Sequence, residues 1–221
     1  MTEKFAFENA EVYVLPFGPL ETNCYVLKSG GEIAVIDPSA QTAPEKEELI
    51  SFLQSLNGNV KFIINTHGHF DHIAANKILK DSFKESKIAV HEKDGEMLLS
   101  SKLNGSVNFG LNIVSDEPDI LLKDKGTLKV GDAKLEVLHI PGHTKGSIAL
   151  YNEKGGFVFT GDTLFAGTVG IAKNFKNAFS EMIKGIKEKL LVLPDETVIF
   201  PGHNEESTIG EEKRHNPFLQ D

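Results

Sequence analysis

The chain has 221 residues, of which 40% are hydrophobic and 25% charged, and its 23 basic and 32 acidic side chains give it a formal net charge of −9. Only one of the basic residues, Arg214, is an arginine. Nucleic acids and anionic membranes attract positive surfaces, and bidentate phosphate contacts favour arginine, so the composition argues against both partners. The single cysteine, Cys24, excludes an intramolecular disulfide and a cysteine-rich metal site.

Length and patterning predict one domain over residues 1–221, without a repeat or a linker that would mark a boundary. The start of the chain lacks the basic segment and apolar run of a secretory signal. The longest apolar runs are far shorter than the ~20 residues that cross a bilayer. We therefore expect a soluble cytoplasmic protein, and the sequence leaves its oligomeric state open.

The first half of the chain predicts strands at 11–15, 23–28 and 32–37, with Gly30-Gly31 as a hairpin turn. Thr42 and Glu45 form the pattern of a capping box, so we expect a helix to begin there. Its apolar residues recur at 49, 52, 53 and 56, as on one helix face, and Gly58 ends it. The next predicted elements are a strand at 61–65, a helix at about 71–80, a strand at 87–91, a short helix at 92–100 and a loop over 104–118.

The second half predicts another group of strands, at 128–130, 134–140, 147–152 and 157–160. An apolar stripe from Phe179 to Leu190 predicts an amphipathic helix, and a last strand is expected at 197–200. Strands in clusters, with helices between and after them, indicate a mixed α/β layered domain.

Polar motifs stand where four of the predicted strands end. They are Thr66-His67-Gly68-His69-Phe70-Asp71-His72, Pro141-Gly142-His143-Thr144, Thr160-Gly161-Asp162-Thr163 and Pro201-Gly202-His203. Strands of a packed sheet end at a common edge, and alternation along an extended segment puts His67 and His69 on one face. The glycines permit tight turns and close approach of the backbone. We therefore expect these side chains to converge on one point.

Imidazole and carboxylate ligands without thiolates suit zinc, iron or manganese. Five histidines and two aspartates are too many for one four-coordinate ion with an open position, but they suit two ions about 3.5–4 Å apart that share a bridging carboxylate and a water. Water bound to such ions loses a proton near neutral pH, which supplies a nucleophile. The sequence thus predicts two divalent metal ions, with zinc as the first choice and iron or manganese as alternatives.

Taken together, these motifs resemble those of the metallo-β-lactamase-fold hydrolases, and the set looks most like glyoxalase II (hydroxyacylglutathione hydrolase) in its short form without a C-terminal helical domain. The resemblance covers essentially the whole chain. It also includes the segments 18–25, GPLETNCY, 207–211, STIGE, and 216–219, NPFL. It implies a four-layer αββα sandwich with the metals at one edge of the two sheets.

The resemblance also implies roles for the individual residues. By motif position, the first metal would be held by His67, His69 and His143, and the second by Asp71, His72 and His203. Asp162 would bridge the two metals, and Asp71 and Asp162 are the expected catalytic carboxylates. The implied reaction is attack of a bridging hydroxide on the carbonyl of a small acyl thioester, such as S-lactoylglutathione, which would release a hydroxy acid and a thiol.

The sequence departs from the family in the segment after Asp162. Related sequences commonly carry a basic residue there, which glutathione-specific members use for the carboxylate of the thiol carrier. Ile171 occupies this place here, with Lys173 and Lys176 as possible substitutes. The departure leaves the acyl group and the thiol carrier open.

Several residues outside the motifs have ordinary explanations. His139 either orients a metal ligand or is a satisfied core histidine, and the sequence does not decide between them. His91 and His215 are expected to be structural or surface residues, and Cys24 an inert buried thiol. Lys145 and Lys173 are expected to be solvated, with substrate contact as the alternative.

Other functions remain open at the level of the sequence. A persulfide dioxygenase of the same fold would use a single iron, held by His67, His69 and His143 or Asp162, and would leave the second triad without a role. A β-lactamase, a nuclease or a metal-binding module without catalysis are further alternatives. The missing export signal and the acidic charge count against the first two.

Overall fold

Two β-sheets lie face to face in the structure, a computed structural model that describes residues 2–172 and 175–220. The first sheet has seven strands in the order of the chain. They are β1 (Glu3–Ala6), β2 (Glu11–Phe17), β3 (Thr22–Ser29), β4 (Glu32–Ile36), β5 (Asn59–Ile64), β6 (Lys87–His91) and β7 (Ile120–Leu122). Strands β1 to β4 pair antiparallel, whereas β4 to β7 pair in parallel, so the carboxyl ends of β4 and β5 lie at the same edge.

The second sheet has six strands in the order β15-β14-β11-β10-β9-β8. They are β8 (Thr127–Val130), β9 (Ala133–His139), β10 (Ile148–Asn152), β11 (Phe157–Gly161), β14 (Val198–Pro201) and β15 (Ser207–Thr208). Strands β11 and β14 are parallel and the other pairs antiparallel. A separate short hairpin joins β12 (Leu164–Phe165) to β13 (Thr168–Val169).

Helices cover the outer face of each sheet. They are α1 (Ala43–Ser55), α2 (Phe70–Ile73), α3 (Asn76–Ser82), α4 (Gly95–Leu98), α5 (Ala178–Gly185) and α6 (Ile209–His215), with a 3-10 turn at Ser106–Phe109 and a π turn at Ile186–Leu190. The capping box of α1 forms as predicted, since Thr42 accepts from the Glu45 amide while the Glu45 side chain accepts from the Thr42 amide. In the described part of the chain, none of the helices has the length and apolarity that crossing a bilayer requires.

Three apolar clusters hold the layers together. The central cluster joins the inner faces of the two sheets, with Leu27 and Ile64 from the first and Phe159 and Phe200 from the second. A second cluster packs α1 and α3 against the first sheet. A third packs α5, the π turn and α6 against the second sheet. The order is therefore helix, sheet, sheet, helix, and the predicted four-layer αββα class is confirmed.

The expected continuous helix at 71–80 is divided into α2 and α3. The amide of Ala75 donates to the carbonyl of Pro38, and the Asn65 side chain donates to the carbonyl of His72. These bonds take the donor and the acceptor that a continuous helix would use at this point. The division fixes α2, which carries Asp71 and His72, as a separate turn.

Other predicted bounds also change. The helix expected at 92–100 is only α4, because the amide of Asp94 closes a turn onto the carbonyl of His91 before the helix begins. The sequence pattern does not predict the short strands β1, β7 and β15, the hairpin β12–β13 or the helix α6. The signal for α6 is Thr208 followed three residues later by Glu211, and the Thr208 side chain does accept from the Glu211 amide.

Candidate metal centre

The predicted site residues lie at one edge of the sandwich, where strands of both sheets end. His67 follows β5, His143 follows β9, Asp162 follows β11 directly, and His203 follows β14. The remaining three, His69, Asp71 and His72, lie in or next to the short helix α2. The two sheets thus supply the site from opposite sides.

All seven residues come together in space. Three groups have ligand atoms within 4.8 Å of one another, and these groups are His67 with His69 and His143, His67 with His72 and Asp162, and Asp71 with His72 and His203. The Nδ1 atom of His69 lies 2.8 Å from Nε2 of His143. Asp162 lies between the groups, since its carboxylate oxygens are 3.4 Å from Nε2 of His72 and 3.4 Å from Nε2 of His143.

Asp37, at the end of β4, orients two of the imidazole rings. Its Oδ2 atom accepts from the Thr66 hydroxyl at 2.6 Å and from Nδ1 of His72 at 2.9 Å. The Thr66 hydroxyl in turn lies 3.1 Å from Nδ1 of His67 and accepts its proton. With Nδ1 protonated, the lone pair of each ring is on Nε2 and faces the site.

Backbone carbonyls orient two further rings in the same way. Nδ1 of His143 donates to the carbonyl of Ile171 at 2.9 Å, and Nδ1 of His203 donates to the carbonyl of Leu20 at 3.0 Å. The Nε2 atoms of both rings therefore face the carboxylates of the site, and Nε2 of His203 is 3.5 Å from Oδ2 of Asp71.

Buried polar atoms test whether this arrangement fits metal ions. Nε2 of His67, Nε2 of His72 and Oδ1 of Asp162 are buried and make no hydrogen bond within residues 2–172 and 175–220. A buried polar atom without a partner costs free energy, so native proteins rarely leave several in one place. Imidazole nitrogens and carboxylate oxygens are ligands of zinc, iron and manganese, and these residues fit a site for divalent cations.

The pKa values of the metal-free residues divide the site in two. Burial and the neighbouring histidines lower the pKa of His67 well below its usual value and that of His69 to about 4, so both rings are neutral at pH 7. Burial opposes ionisation of Asp71, but the charge of His72 and the hydrogen bond with His203 outweigh it and lower the Asp71 pKa to about 2. The same neighbours lower the pKa of Asp162 against its own burial.

Two further rings, those of His72 and His203, bind a proton more readily than usual in the metal-free protein. Burial opposes their protonation, but nearby carboxylates raise the pKa of His72 well above its usual value and that of His203 to about 9. Each of these protons lies beside a carboxylate. A metal cation in the same position would balance the same negative charge. A metal ion bound at these rings would therefore displace protons.

Two glycines allow the close approach at the site. A Cβ atom on Gly202 would lie 2.2 Å from Oδ1 of Asp162 and 2.8 Å from Cε1 of His72. Gly161 has φ +49, and a Cβ there would lie 2.3 Å from the Thr66 hydroxyl. A side chain at either position would displace a candidate ligand or the hydrogen bond that orients one.

Asp94, before α4, connects the loop of His67 and His69 to the loop of His143. Its carboxylate accepts from the amide of Gly68 at 3.0 Å, from the hydroxyl of Thr144 at 2.6 Å and from the amide of Gly146 at 2.7 Å. Asp94 and Asp37 are the positioning residues that the sequence reasoning missed. Asp37 has the same signal as Asp162, an acid directly after an apolar run, whereas nothing local distinguishes Asp94.

The remaining sequence predictions have mixed outcomes. Nε2 of His139 donates to the carbonyl of Lys145, and its ring stacks on that of His91 at 4.0 Å. Cys24 is fully buried and burial raises the pKa of its thiol, as expected for an inert residue. Lys176 is exposed, and Lys173 lies outside the described residues.

Known proteins resemble this chain over nearly its whole length. The hydroxyacylglutathione hydrolase GloC of Haemophilus influenzae is 36% identical over 211 residues, which cover 94% of this chain and 97% of that protein. Among solved structures, BLEG-1 B3 metallo-beta-lactamase is 34% identical with a TM-score of 0.86, and covers 94% of this chain and 99% of its own.

A second solved structure, that of TTHA1623 in a di-iron-bound form, is 32% identical with a TM-score of 0.80, and covers 93% of this chain and 99% of its own. The sequence model of the metallo-beta-lactamase superfamily matches residues 17–203, from the end of β2 to the last candidate ligand. The chain therefore belongs to the metallo-beta-lactamase superfamily.

Proposed function

We propose that the protein is a hydrolase with two metal ions that cleaves a small hydroxyacyl thioester of the S-lactoylglutathione type. The observation that carries the proposal is the convergence of two three-residue groups, one around His69 and His143 and the other around Asp71 and His203, with Asp162 between them. A single ion held by one of these two groups would leave the ligands of the other group without a role.

The first metal is assigned to His67, His69 and His143 and the second to Asp71, His72 and His203, with Asp162 shared. When bound, two divalent cations lower the pKa of water to near neutral and polarise a carbonyl. Zinc is the first choice, and iron and manganese are the alternatives because the same ligands accept all three.

Residues around the centre hold the histidine ligands in the tautomer that this chemistry requires. Asp37 fixes which nitrogen of His72 carries the proton, directly, and does the same for His67 through Thr66. Two anionic carboxylates leave a pair of divalent cations with a net charge of about +2, which favours a developing oxyanion. The named activity of the GloC relative, hydrolysis of hydroxyacylglutathione, supports the thioester as the substrate class.

The test combines elemental analysis with a thioesterase assay. Metal content per chain is measured on the protein as purified, and the protein reloaded with zinc is assayed for thiol release from S-lactoylglutathione. We expect two metal ions per chain and turnover that a chelator abolishes. His67→Ala should abolish turnover, whereas Lys84→Gln, an exposed change far from the site, should not.

Other outcomes separate the competing functions. One iron per chain, with oxygen uptake on glutathione persulfide, would indicate the dioxygenase. Turnover of a β-lactam but of no thioester would indicate a lactamase, the activity named for BLEG-1. Unchanged thioester turnover in His67→Ala would overturn the proposed role of the metal centre.

A further inference from the structure

A cavity of about 520 Å³ opens beside the candidate metal centre, on the side of His69. Its walls come from α4, from the segment that leads into the 3-10 turn and from the loop after His143. His69 itself forms part of the wall, so a molecule in the cavity would reach the metal centre. The volume is in the range of small-molecule sites, and it is far larger than a lactoyl group needs.

Three lysines surround this cavity, and each comes from a different segment. They are Lys93, before α4, Lys102, before the 3-10 turn, and Lys145, two residues after His143. All three are exposed, and none lies within ion-pair distance of a carboxylate in the part of the chain that the structure describes. Several other lysines of the described residues do lie within ion-pair distance of a carboxylate, as Lys189 does of Asp124.

The wall of the cavity has three lysines but only two acids, Asp94 and Glu96, so the acids do not cancel the positive charge. Asp94 is buried, and its two carboxylate oxygens already accept three hydrogen bonds from the loops. Glu96 is the other carboxylate of the wall, and it is exposed. The cavity thus carries an excess of positive charge on a chain whose formal net charge is −9. A concave surface with charge of one sign attracts a ligand of the other sign.

The rest of the wall suits an organic ligand rather than an inorganic ion. Met97 and Leu103 line the cavity beside the lysines, and Leu103 is 51% exposed. A lysine ammonium group is a point charge on a flexible stem, so it can follow an anionic group on a flexible molecule. A thiol carrier with an aliphatic chain and anionic groups has this combination.

At the place where related sequences carry a basic residue, this chain has the uncharged Ile171. Ile171 has a side chain that is 65% exposed, and its carbonyl is occupied by Nδ1 of His143. The positive charge that Ile171 does not supply is present beside His69, in Lys93, Lys102 and Lys145.

We propose that the cavity bounded by Lys93, Lys102 and Lys145 binds the anionic thiol-carrier half of the substrate, and that these lysines contact its carboxylate or phosphate groups. The proposal rests on the proposed thioesterase function and adds the place and the chemical class of the carrier. According to this proposal, the three lysines determine substrate specificity. For Lys145 this differs from the expectation from the sequence, which favours a solvated surface lysine.

Binding of non-hydrolysable thioethers to the zinc-loaded protein tests the proposal without turnover. Calorimetry would compare S-methylglutathione, which carries carboxylates, S-methyl-4′-phosphopantetheine, which carries a phosphate, and S-methylpantetheine, which has no anionic group. The last two differ only in the phosphate. The comparison therefore separates the charge from the apolar chain and the carboxylate from the phosphate.

The variant is the triple substitution Lys93→Gln, Lys102→Gln and Lys145→Gln. The matched control is Lys84→Gln, Lys129→Gln and Lys134→Gln, which changes the net charge equally at three exposed lysines outside the cavity. We expect the cavity variant to weaken an anionic thioether about tenfold or more and the control to change its Kd by less than about twofold. The preference for an anionic over the neutral thioether should collapse only in the cavity variant.

The outcomes separate this proposal from the proposed function. Equal losses in the two triple variants, or an unchanged preference in the cavity variant, overturn the lysine site. If the wild type hydrolyses thioesters but the cavity variant keeps the wild-type KM for anionic thioesters, the thioesterase function is supported and the lysine site is refuted. If thioether binding depends on the lysines while no thioester is cleaved, the site stands and the function falls.

Discussion

Asp37 and His72 form a fully buried carboxylate–imidazole pair, with Oδ2 2.9 Å from Nδ1. The same oxygen accepts from the Thr66 hydroxyl, which accepts from Nδ1 of His67. One carboxylate therefore sets the tautomer of one ring in each proposed metal site, His67 in the first and His72 in the second. Asp37 lies at the end of β4, and the two rings follow β5, so the parallel pairing of these strands creates the arrangement.

We expect Asp37→Asn to weaken metal binding by about 10- to 100-fold, the usual effect of losing the group that orients a metal-binding histidine. The Thr66 hydroxyl and Nδ1 of His72 both donate to Oδ2 of Asp37. An amide NH2 at this position would itself be a donor, which favours the His72 tautomer with its proton on Nε2. Competition with a chromophoric chelator would measure the affinity. Asp81→Asn, an exposed aspartate, is the control. Wild-type affinity in Asp37→Asn, with the fold intact, would show that the pair does not set the tautomer.

Asp94 stabilises the site in a different way, by joining the loop of Gly68 to the loop of Thr144 and Gly146. Asp94→Ala leaves three donors without their partner in a buried place. We expect the free energy of unfolding to fall by about 2–4 kcal/mol. Thr144→Val removes one of the donors and should cost less, about 1 kcal/mol.

Urea unfolding of the chelator-treated proteins would measure both variants, since metal release then does not contribute. Asp81→Ala is the reference for loss of an exposed carboxylate. The connection between the loops would be refuted by a cost in Asp94→Ala no greater than that in Asp81→Ala.

The sequence reveals the ligands because each follows an apolar run. The end of a strand can be recognised from the residues next to it, and the packing of two sheets brings such ends to one edge. The sequence therefore predicts that His67, His143, Asp162 and His203 lie together. Asp37 has the same local signal. It follows the apolar run at 33–36, but without a histidine beside it the signal reads as an ordinary turn.

The features that the sequence does not reveal depend on distant contacts. Asp94 acts on Gly146, 52 residues away, and the division between α2 and α3 depends on Pro38 and Asn65. Helical periodicity carries no information about such partners. The lysine cavity has the same origin, because its lysines come from three segments that only the fold brings together.

Gly202 tests the close packing of the site. Gly202→Ala places a methyl group 2.2 Å from Oδ1 of Asp162 and 2.8 Å from the ring of His72. One of these groups must move, so we expect fewer than two bound metals per chain and a loss of stability of about 1–3 kcal/mol. Gly95→Ala is the matched control, since its new methyl group comes no nearer than 3.3 Å to other atoms. Full metal content in Gly202→Ala would mean that the geometry is more tolerant than these distances indicate.

The stacked pair of His91 and His139 predicts a pH dependence of stability. Burial, with His139 and Lys93 nearby, lowers the pKa of His91 to about 4, against the opposing charges of Glu92 and Asp124. In the unfolded chain this imidazole has a pKa near 6.5. Between about pH 6.5 and pH 4 the unfolded state therefore binds the extra proton, and the free energy of unfolding falls as the pH falls.

The expected contribution of His91 between pH 7 and pH 5 is about 1–2 kcal/mol, allowing for screening by solvent around the pair. Urea unfolding at the two pH values, with chelator present throughout, gives the change for the wild type and for His91→Gln. The titrations of the metal ligands occur in both proteins and cancel in the difference. His91→Gln should lose about 1–2 kcal/mol less than the wild type on acidification, and His215→Gln, which removes an exposed imidazole, should behave as the wild type. Equal losses in all three proteins would show that His91 binds a proton as readily in the folded state as in the unfolded one.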